Sequence, residues 1–312
     1  MTKPKALCVA GPTASGKSAL GMALARKLSG EIVCMDSMQV YRRMDIGTAK
    51  PTPGERAKIP HHLVDIREPD ETYAVAQYAE DAKRVIEDIT GRGKLPILVG
   101  GTGFYLRALT HGLNLGGVPS DPKLRQRLKA SAADADGKKR LHDRLKAVDP
   151  ETAARLHAND IARVSRALEV YELTGVPLSK QEQKAFDSPF DFCVIGTAMD
   201  RAALYRRIDA RVDRMMEDGL QNEVQALLKE GVSPRAQAMQ GIGYKELVPV
   251  LTADYPLENA VFDIKRNSRH YAKRQLTWFR RDEGVHWLDM ADANAHGKAL
   301  ELARAFLEGN EG

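Results

Sequence analysis

The run Gly11-Pro12-Thr13-Ala14-Ser15-Gly16-Lys17-Ser18 limits what this chain can become more than any other stretch. It fits G-x-x-x-x-G-K-[ST], a pattern that has a mechanism only between a strand and a helix. Both flanks comply. Lys5 to Ala10 is a short apolar run that reads as a buried strand. Leu20, Ala23, Leu24 and Leu28 then recur at helical spacing until Ser29-Gly30 stops them. In that setting the glycines let backbone N–H groups point inward, and the helix N-terminus adds positive potential. Lys17 reaches phosphate oxygens and Ser18 offers a ligand for Mg²⁺. The loop binds a phosphate chain.

A second apolar run, Glu31 to Met35, ends in Asp36-Ser37-Met38-Gln39. A third, Leu95 to Val99, ends in Gly100-Gly101-Thr102-Gly103. Between them Val75, Tyr78, Ala82, Val85 and Ile89 mark a helix over 73–89, while 42–72, rich in Pro, Gly and charge, reads as irregular. Strand–helix–strand alternation predicts an α/β fold with a doubly wound parallel sheet of the P-loop NTPase-like kind. It also gathers Ser15, Asp36 and Thr102 at one sheet edge, where open α/β sheets keep their ligands. His61-His62 invites a metal reading, but adjacent residues chelate poorly and no Cys/His cluster accompanies them, which leaves a structural or RNA-facing pair.

Asn114 to Pro119 reads as a linker, and the character of the chain changes after it. Asp121-Pro122 and Asp149-Pro150 each place an N-cap before a first-turn proline. Leu124/Leu128, Leu141/Leu145 and Ile161/Val164/Leu168/Tyr171 follow helical spacing, and Gly175 with Pro177 ends the last helix. The expected organisation is a first core segment over 1–119, an inserted all-helical domain over 120–187, and the rest of the core over 188–312. That last part opens with a strand at Phe192 to Gly196. A long amphipathic helix around Leu204, Ile208, Val212 and Met215 follows, bearing Arg206, Arg207 and Arg211. Gly241 to Glu246 is a loop entering a helix. Ile264, Tyr271 and Trp278 stand at heptad spacing on an expected buried face, and a strand over 285–288 and a helix over 299–307 close the chain.

With 43% hydrophobic and 29% charged residues the composition is that of a soluble globular protein. No run of 18 apolar residues occurs and the N-terminus lacks a signal-peptide pattern, so no membrane association is expected. Cys8, Cys34 and Cys193 sit singly in apolar runs, as buried thiols of a reducing compartment do, and the expected location is cytoplasmic. A monomer is expected. Net charge is +5. More telling is one segment, 264–281, which holds Lys265, Arg266, Arg269, Lys273, Arg274, Arg280 and Arg281 and no acid. It reads either as a solvated helix with one buried face or as a surface that tracks RNA phosphates.

The strand ending in Val99-Gly100-Gly101 lacks the terminal Asp that usually holds Mg²⁺ near a γ-phosphate. Asp36 suits that post, and equally suits a hydrogen bond to a base edge beside the amide of Gln39; spacing alone leaves both open. A small-molecule kinase and an RNA-binding ATPase fit these residues as well as a transferase does.

Five stretches together resemble the bacterial tRNA dimethylallyltransferases, in the right order over nearly the whole chain. They are Gly11–Ser18, Asp36-Ser37-Met38-Gln39-Val40-Tyr41, Gly100-Gly101-Thr102-Gly103-Phe104-Tyr105, Gly241-Ile242-Gly243-Tyr244-Lys245-Glu246 and Arg274-Gln275-Leu276-Thr277-Trp278-Phe279-Arg280. The resemblance implies transfer of a dimethylallyl group to N6 of the adenosine 3′ of the anticodon. It implies that the glycine loop holds the pyrophosphate of dimethylallyl diphosphate, with Mg²⁺ at Ser18 and Arg211 as a further contact. It gives Asp36 the N6 proton, or the task of orienting the amine, with Thr102 helping to place it. Contacts to tRNA are implied from Asp36 to Gln39, Gly241 to Glu246 and Arg274 to Arg281. They are also implied from Asp160-Ile161-Ala162-Arg163-Val164 in the insert, where Ala162 replaces a Gln common in the family. The zinc finger of eukaryotic members is not expected, since no cysteine follows Cys193.

Overall fold

A computed structural model of the chain describes residues 3–112, 121–181 and 187–309. The chain divides into two units, Met1–His111 with Ser188–Gly312, and Gly112–Asp187. In the first unit, β1 (Lys5–Ala10) and α1 (Lys17–Lys27) flank the glycine loop. Then follow β2 (Gly30–Met35), α2 (Pro53–Lys58), β3 (His61–His62), α3 (Val75–Gly91), β4 (Leu95–Gly100) and α4 (Gly103–Thr110). Among the described residues the sheet has the order β3-β2-β4-β1-β5-β6, with β5 at Asp191–Ala198 and β6 at Val285–Asp289. Every neighbouring pair is parallel.

Parallel strands covered on both faces favour near-continuous apolar runs, and Ala6–Ala10 of β1 and Ile32–Met35 of β2 show them. Their two faces feed two cores. Ala6, Cys8, Val33, Met35 and Leu98 pack with Tyr78, Ile86 and Tyr105. Leu7, Val9, Ile32, Ile97 and Val99 pack with Leu20, Leu24, Ala299 and Phe306. The register pairs Gly100 with both Ala10 and Met35, so the chain leaves β1, β4 and β2 at one level. This brings the glycine loop, Gly101-Thr102 and Asp36 side by side. All three cysteines are buried and outside any disulfide, and burial pushes the Cys8 and Cys34 thiols far up.

The segment 42–72 is less irregular than its composition suggests. Thr52 caps α2 through a reciprocal pair with Glu55. His61 and His62 pair with Ile32 and Val33 as a two-residue edge strand. His62 Nε2 meets the buried Glu31 carboxylate at 2.7 Å, and hydrogen bonds from Arg92 hold that carboxyl down at about 2. The histidine pair is therefore structural at His62.

The helical unit contains α5 (Pro122–Ala130), α6 (Ala135–Val148), α7 (Pro150–Arg155) and α8 (Ile161–Thr174). Asp121 and Asp149 cap as their sequence predicts, accepting from Lys123 N and Leu124 N and from Thr152 N. Leu124, Leu128, Leu141, Leu145, Val164 and Leu168 form its core. Glu169, fully buried, binds this unit together by accepting from Arg125, Arg166 and the Asp121 N–H. The linker expected at Asn114–Pro119 lies outside the described residues.

After β5 come α9 (Arg201–Glu217), α10 (Leu220–Lys229), α11 (Tyr244–Thr252), α12 (Leu257–Phe279) and, past β6, α13 (Ala295–Glu308). Helix α10 is not among the elements expected from the sequence. On α12 the buried residues are Ala260, Ile264, Ala272, Gln275 and Phe279, the 3.6-residue stripe of a packed helix rather than a heptad seam. Tyr271 and Trp278 are only half-buried. Among the described residues no helix is long and apolar enough to cross a membrane.

Candidate active site

The sheet edge opens into a cavity of about 420 Å³. Thr13, Lys17 and Ser18 line it from the glycine loop and Asp36 to Gln39 from the end of β2. Arg211 lines it from α9, and Tyr271, Arg274 and Gln275 from α12. Met22, Ile32, Val99, Ile208, Val212 and Ile264 add apolar walls.

The loop is fixed from outside itself. Gly16 begins α1 at φ 96°, where an L side chain is strained. The Ser15 hydroxyl turns away from the cavity, bonding the Pro12 carbonyl at 2.8 Å and touching the Thr197 hydroxyl at 2.6 Å. Ser15 therefore offers an anion only its backbone. Gln275 joins two loops: its Oε1 accepts from Thr13 N at 2.9 Å and its Nε2 donates to Gly101 O at 2.9 Å. A Cβ at Gly101 would fall 2.1 Å from that Nε2, so only glycine admits the bridge.

Lys17, Arg211 and Arg274 face the cavity without a salt bridge among the described residues. Lys17 donates to the Pro12 carbonyl at 3.2 Å. Burial, with the Arg211 guanidinium nearby, lowers its pKa to about 8, against a smaller opposing pull from Asp36. Burial also lowers Arg211, again opposed by Asp36. Asp36 thus acts on both cations. Its Oδ1 accepts from Met38 N at 2.9 Å, an Asx turn that holds the carboxylate at the strand end. Thr102 stands behind this turn, its hydroxyl accepting from Ser37 N at 3.2 Å. Tyr271 is raised to about 12 by burial and by Asp36, with hydrogen bonds to Thr102 and Gln275 pulling the other way. Asp36, Tyr271, Lys17 and Arg211 thus line one cavity, with Thr102 behind the Asp36 turn.

The family model described as IPP transferase matches residues 39–282. The chain belongs to the IPP transferase family. The tRNA dimethylallyltransferase of Pelotomaculum thermopropionicum is 49% identical over 97% of this chain and 96% of its own. The full-length tRNA isopentenylpyrophosphate transferase from Bacillus halodurans superposes with a TM-score of 0.72 at 43% identity, covering 99% of this chain and 97% of that one. A eukaryotic dimethylallyltransferase acting on tRNA superposes at 0.84, with 31% identity over 99% of this chain and 80% of that one. The fold is P-loop NTPase-like, and the kinase and ATPase readings open to the sequence give way to this family.

Other residues singled out in the sequence have mixed surroundings. Gly241, Ile242, Gly243 and Lys245 line the same cavity. Tyr244 and Glu246 are buried, Glu246 accepting from Gly243 N and Asn267. The Gln39 amide is engaged at both ends, by Cys34 Sγ at 3.2 Å and by the carbonyls of Thr48 and Ala49. It anchors the cavity wall instead of standing free for a base. Phe279 is core, and Leu276 packs with Leu204 and Ile208. Thr277, Arg280 and Arg281 are exposed. In the helical unit Asp160 caps α8 and pairs with Arg163 at 3.2 Å; Ala162 and Arg163 are exposed and Val164 is buried.

Sequence reasoning missed Glu223 on α10. Its carboxylate accepts from the N–H groups of Asp45 and Ile46 at 2.8 Å, from Gly47 N at 3.2 Å and from the Tyr244 hydroxyl at 2.6 Å. Gly47 to Pro51 line the cavity next to that anchor. Nothing local marks Glu223, since its partners lie about 20 and about 180 residues away in the chain.

Proposed function

We propose that the protein transfers a dimethylallyl group from dimethylallyl diphosphate to N6 of the adenosine 3′ of a tRNA anticodon, releasing diphosphate. The observation that carries this reading is the unpaired cation couple Lys17–Arg211 facing Asp36 above apolar walls. A polyanionic leaving group, a short hydrocarbon and a weakly nucleophilic amine each have a matching surface there. Lys17, Arg211 and the loop N–H groups hold the diphosphate. The C–O bond to it breaks as the N6–C bond forms, and the N6 proton passes to Asp36. Fixed cations neutralise charge as it develops on the departing oxygen, in a site that needs no reorganisation.

Mg²⁺ fits the same site: Ser18 is exposed on the cavity wall, and this ion takes few protein ligands beside phosphate oxygens and water. When bound it supplies further charge neutralisation to the diphosphate. Adenosine reaches the cavity only after leaving the anticodon stack, which costs a few kcal/mol. Phosphate contacts from the basic end of α12 and from Arg163 offset part of that cost. The reading includes a cytoplasmic enzyme acting as a monomer. Incubation with labelled dimethylallyl diphosphate and unmodified tRNA tests it, with label expected on one anticodon-loop adenosine. RNA-stimulated ATP hydrolysis without label would overturn it.

A further inference from the structure

A second cavity, of about 450 Å³, shares helix α12 with the first. Gly103, Arg107 and His111 line it from α4; Trp278 lines it from α12, and Arg281 and Glu283 from the turn that follows. Thr102, which braces the Asp36 turn, immediately precedes Gly103. Arg274, on the wall of the first cavity, lies one helical turn before Trp278, about 6 Å along the axis. Successive turns of α12 therefore line the two hollows.

Beside this second hollow is an aromatic pair. Trp278 occupies the space where a side chain at Gly103 would go. Phe104 lies against it with ring centroids 4.5 Å apart, yet Phe104 is 54% exposed. An exposed phenyl ring against a cavity-lining tryptophan offers aromatic surface next to the cavity.

The lining chemistry selects among anionic, neutral and aromatic ligands. Arg107 and Arg281 are accompanied by Asp282 and Glu283. Carboxylates repel a phosphate, whereas a nucleobase is neutral, carries donors and acceptors on its edge, and stacks on aromatic rings. Lys273, Arg274 and Arg280 are exposed on the same helix end and have no salt bridge among the described residues, so a polyanionic backbone is attracted alongside. We propose that this cavity receives the base of an unpaired nucleotide adjoining the modified adenosine, stacked on the Phe104–Trp278 pair. The proposal rests on the RNA prenyl-transfer reading. It adds a second base site, which holds the strand while its neighbour is extruded.

The test uses the full-length protein and anticodon stem-loop RNAs, intact or with one abasic nucleotide on either side of the target adenosine. Stacking on an aromatic is worth about 1–3 kcal/mol per base, so Phe104→Ala weakens binding of intact RNA about 5- to 150-fold. Phe104→Trp restores it, and the rate at saturating RNA changes little. One of the two abasic RNAs binds the wild-type protein as weakly as intact RNA binds Phe104→Ala, and combining the two changes gives no further loss. Unchanged affinity in Phe104→Ala overturns the proposal. So do losses that add across variant and abasic RNA, which place the aromatic pair in folding or in contact with another group. Failure of the wild-type protein to prenylate intact RNA is a separate outcome, and it overturns the underlying reading instead.

Discussion

Lys17 meets two opposing demands. It must be charged to hold a diphosphate, yet burial and Arg211 lower its pKa to about 8 in the free protein. A bound diphosphate ester, a polyanion, favours the charged form and raises that pKa again, so binding takes up a proton above pH 8. Affinity for an unreactive diphosphate ester should therefore be flat below about 8 and fall about tenfold per pH unit above it. Lys17→Met should abolish the break, as calorimetry across pH 6.5–9.5 would show. The same shift acts on folding with a fixed sign. Between about 8 and the ordinary lysine value the unfolded chain holds the proton more often, so Lys17 adds stability as pH rises through that window. Below it, the buried charge weighs fully against the fold. Asp36 carries the other half of the chemistry. The adenine amine has its lone pair delocalised into the ring, so its proton must be accepted as the new bond forms. Asp36→Asn keeps the shape and the turn to Met38 N but removes the acceptor for a proton. A single-turnover loss of roughly 10²–10⁴-fold is expected. Retention of more than roughly a tenth of the rate would make Asp36 an orienting group only.

Helix α10 contributes no atom to the cavity wall, yet it governs a segment that does. One carboxylate, Glu223, satisfies three consecutive N–H groups of the 45–47 turn and the buried Tyr244 hydroxyl, whose ionisation burial and Glu223 push far up. Glu223→Ala leaves those donors unmet at a cost of about 1–3 kcal/mol. Its denaturation midpoint should fall with the slope unchanged, and the KM for the diphosphate donor should rise as the Gly47–Pro51 wall loosens. Glu223→Gln, with one oxygen left, should lie between. A wild-type midpoint in Glu223→Ala would remove this role. The contrast with the glycine loop explains what a sequence discloses. Gly11 to Ser18 announces itself because its ligand-binding groups are backbone atoms whose geometry the local residues dictate. The strands β1, β2 and β4 were legible because burial on both faces favours near-continuous apolar runs. The bridge from Gln275 to Thr13 and Gly101 spans about 262 and about 174 residues, and no local pattern encodes it. Gln39 shows the reverse case, an amide that suits a base edge by type but is committed to Cys34, Thr48 and Ala49 by packing.

Across the whole molecule the excess of +5 is less informative than where the cations are left unpaired. The basic run on α12 contains no acid, but α9 packs against it and supplies two. Asp213 takes Lys265 and Asp209 takes Arg269, each at 2.5 Å, while Asp263, one turn back on α12, takes Arg266 at 2.7 Å. The first two pairs hold the helices together, and all three cations have little charge left for a partner. Lys273, Arg274, Arg280 and Arg281 are different: all four are exposed, and offsets of one, seven and eight residues put them on one side of the helix end. If that side tracks RNA phosphates, each contact releases condensed counterions. The slope of log K against log salt then changes by about 0.7 per phosphate on a single strand and about 0.9 on a duplex. Lys273→Ala with Arg280→Ala, chosen because neither lines a cavity, should flatten the slope by about 1.4–1.8. Lys265→Ala, which removes a cation already held by Asp213, should change it by much less. Filter binding of tRNA between low and physiological salt measures all three proteins on one scale. An equal change in slope for the paired and unpaired cations would mean that the whole helix acts only through its net charge. No change in either would return the end of α12 to an ordinary solvated surface, and the RNA backbone would have to be held elsewhere.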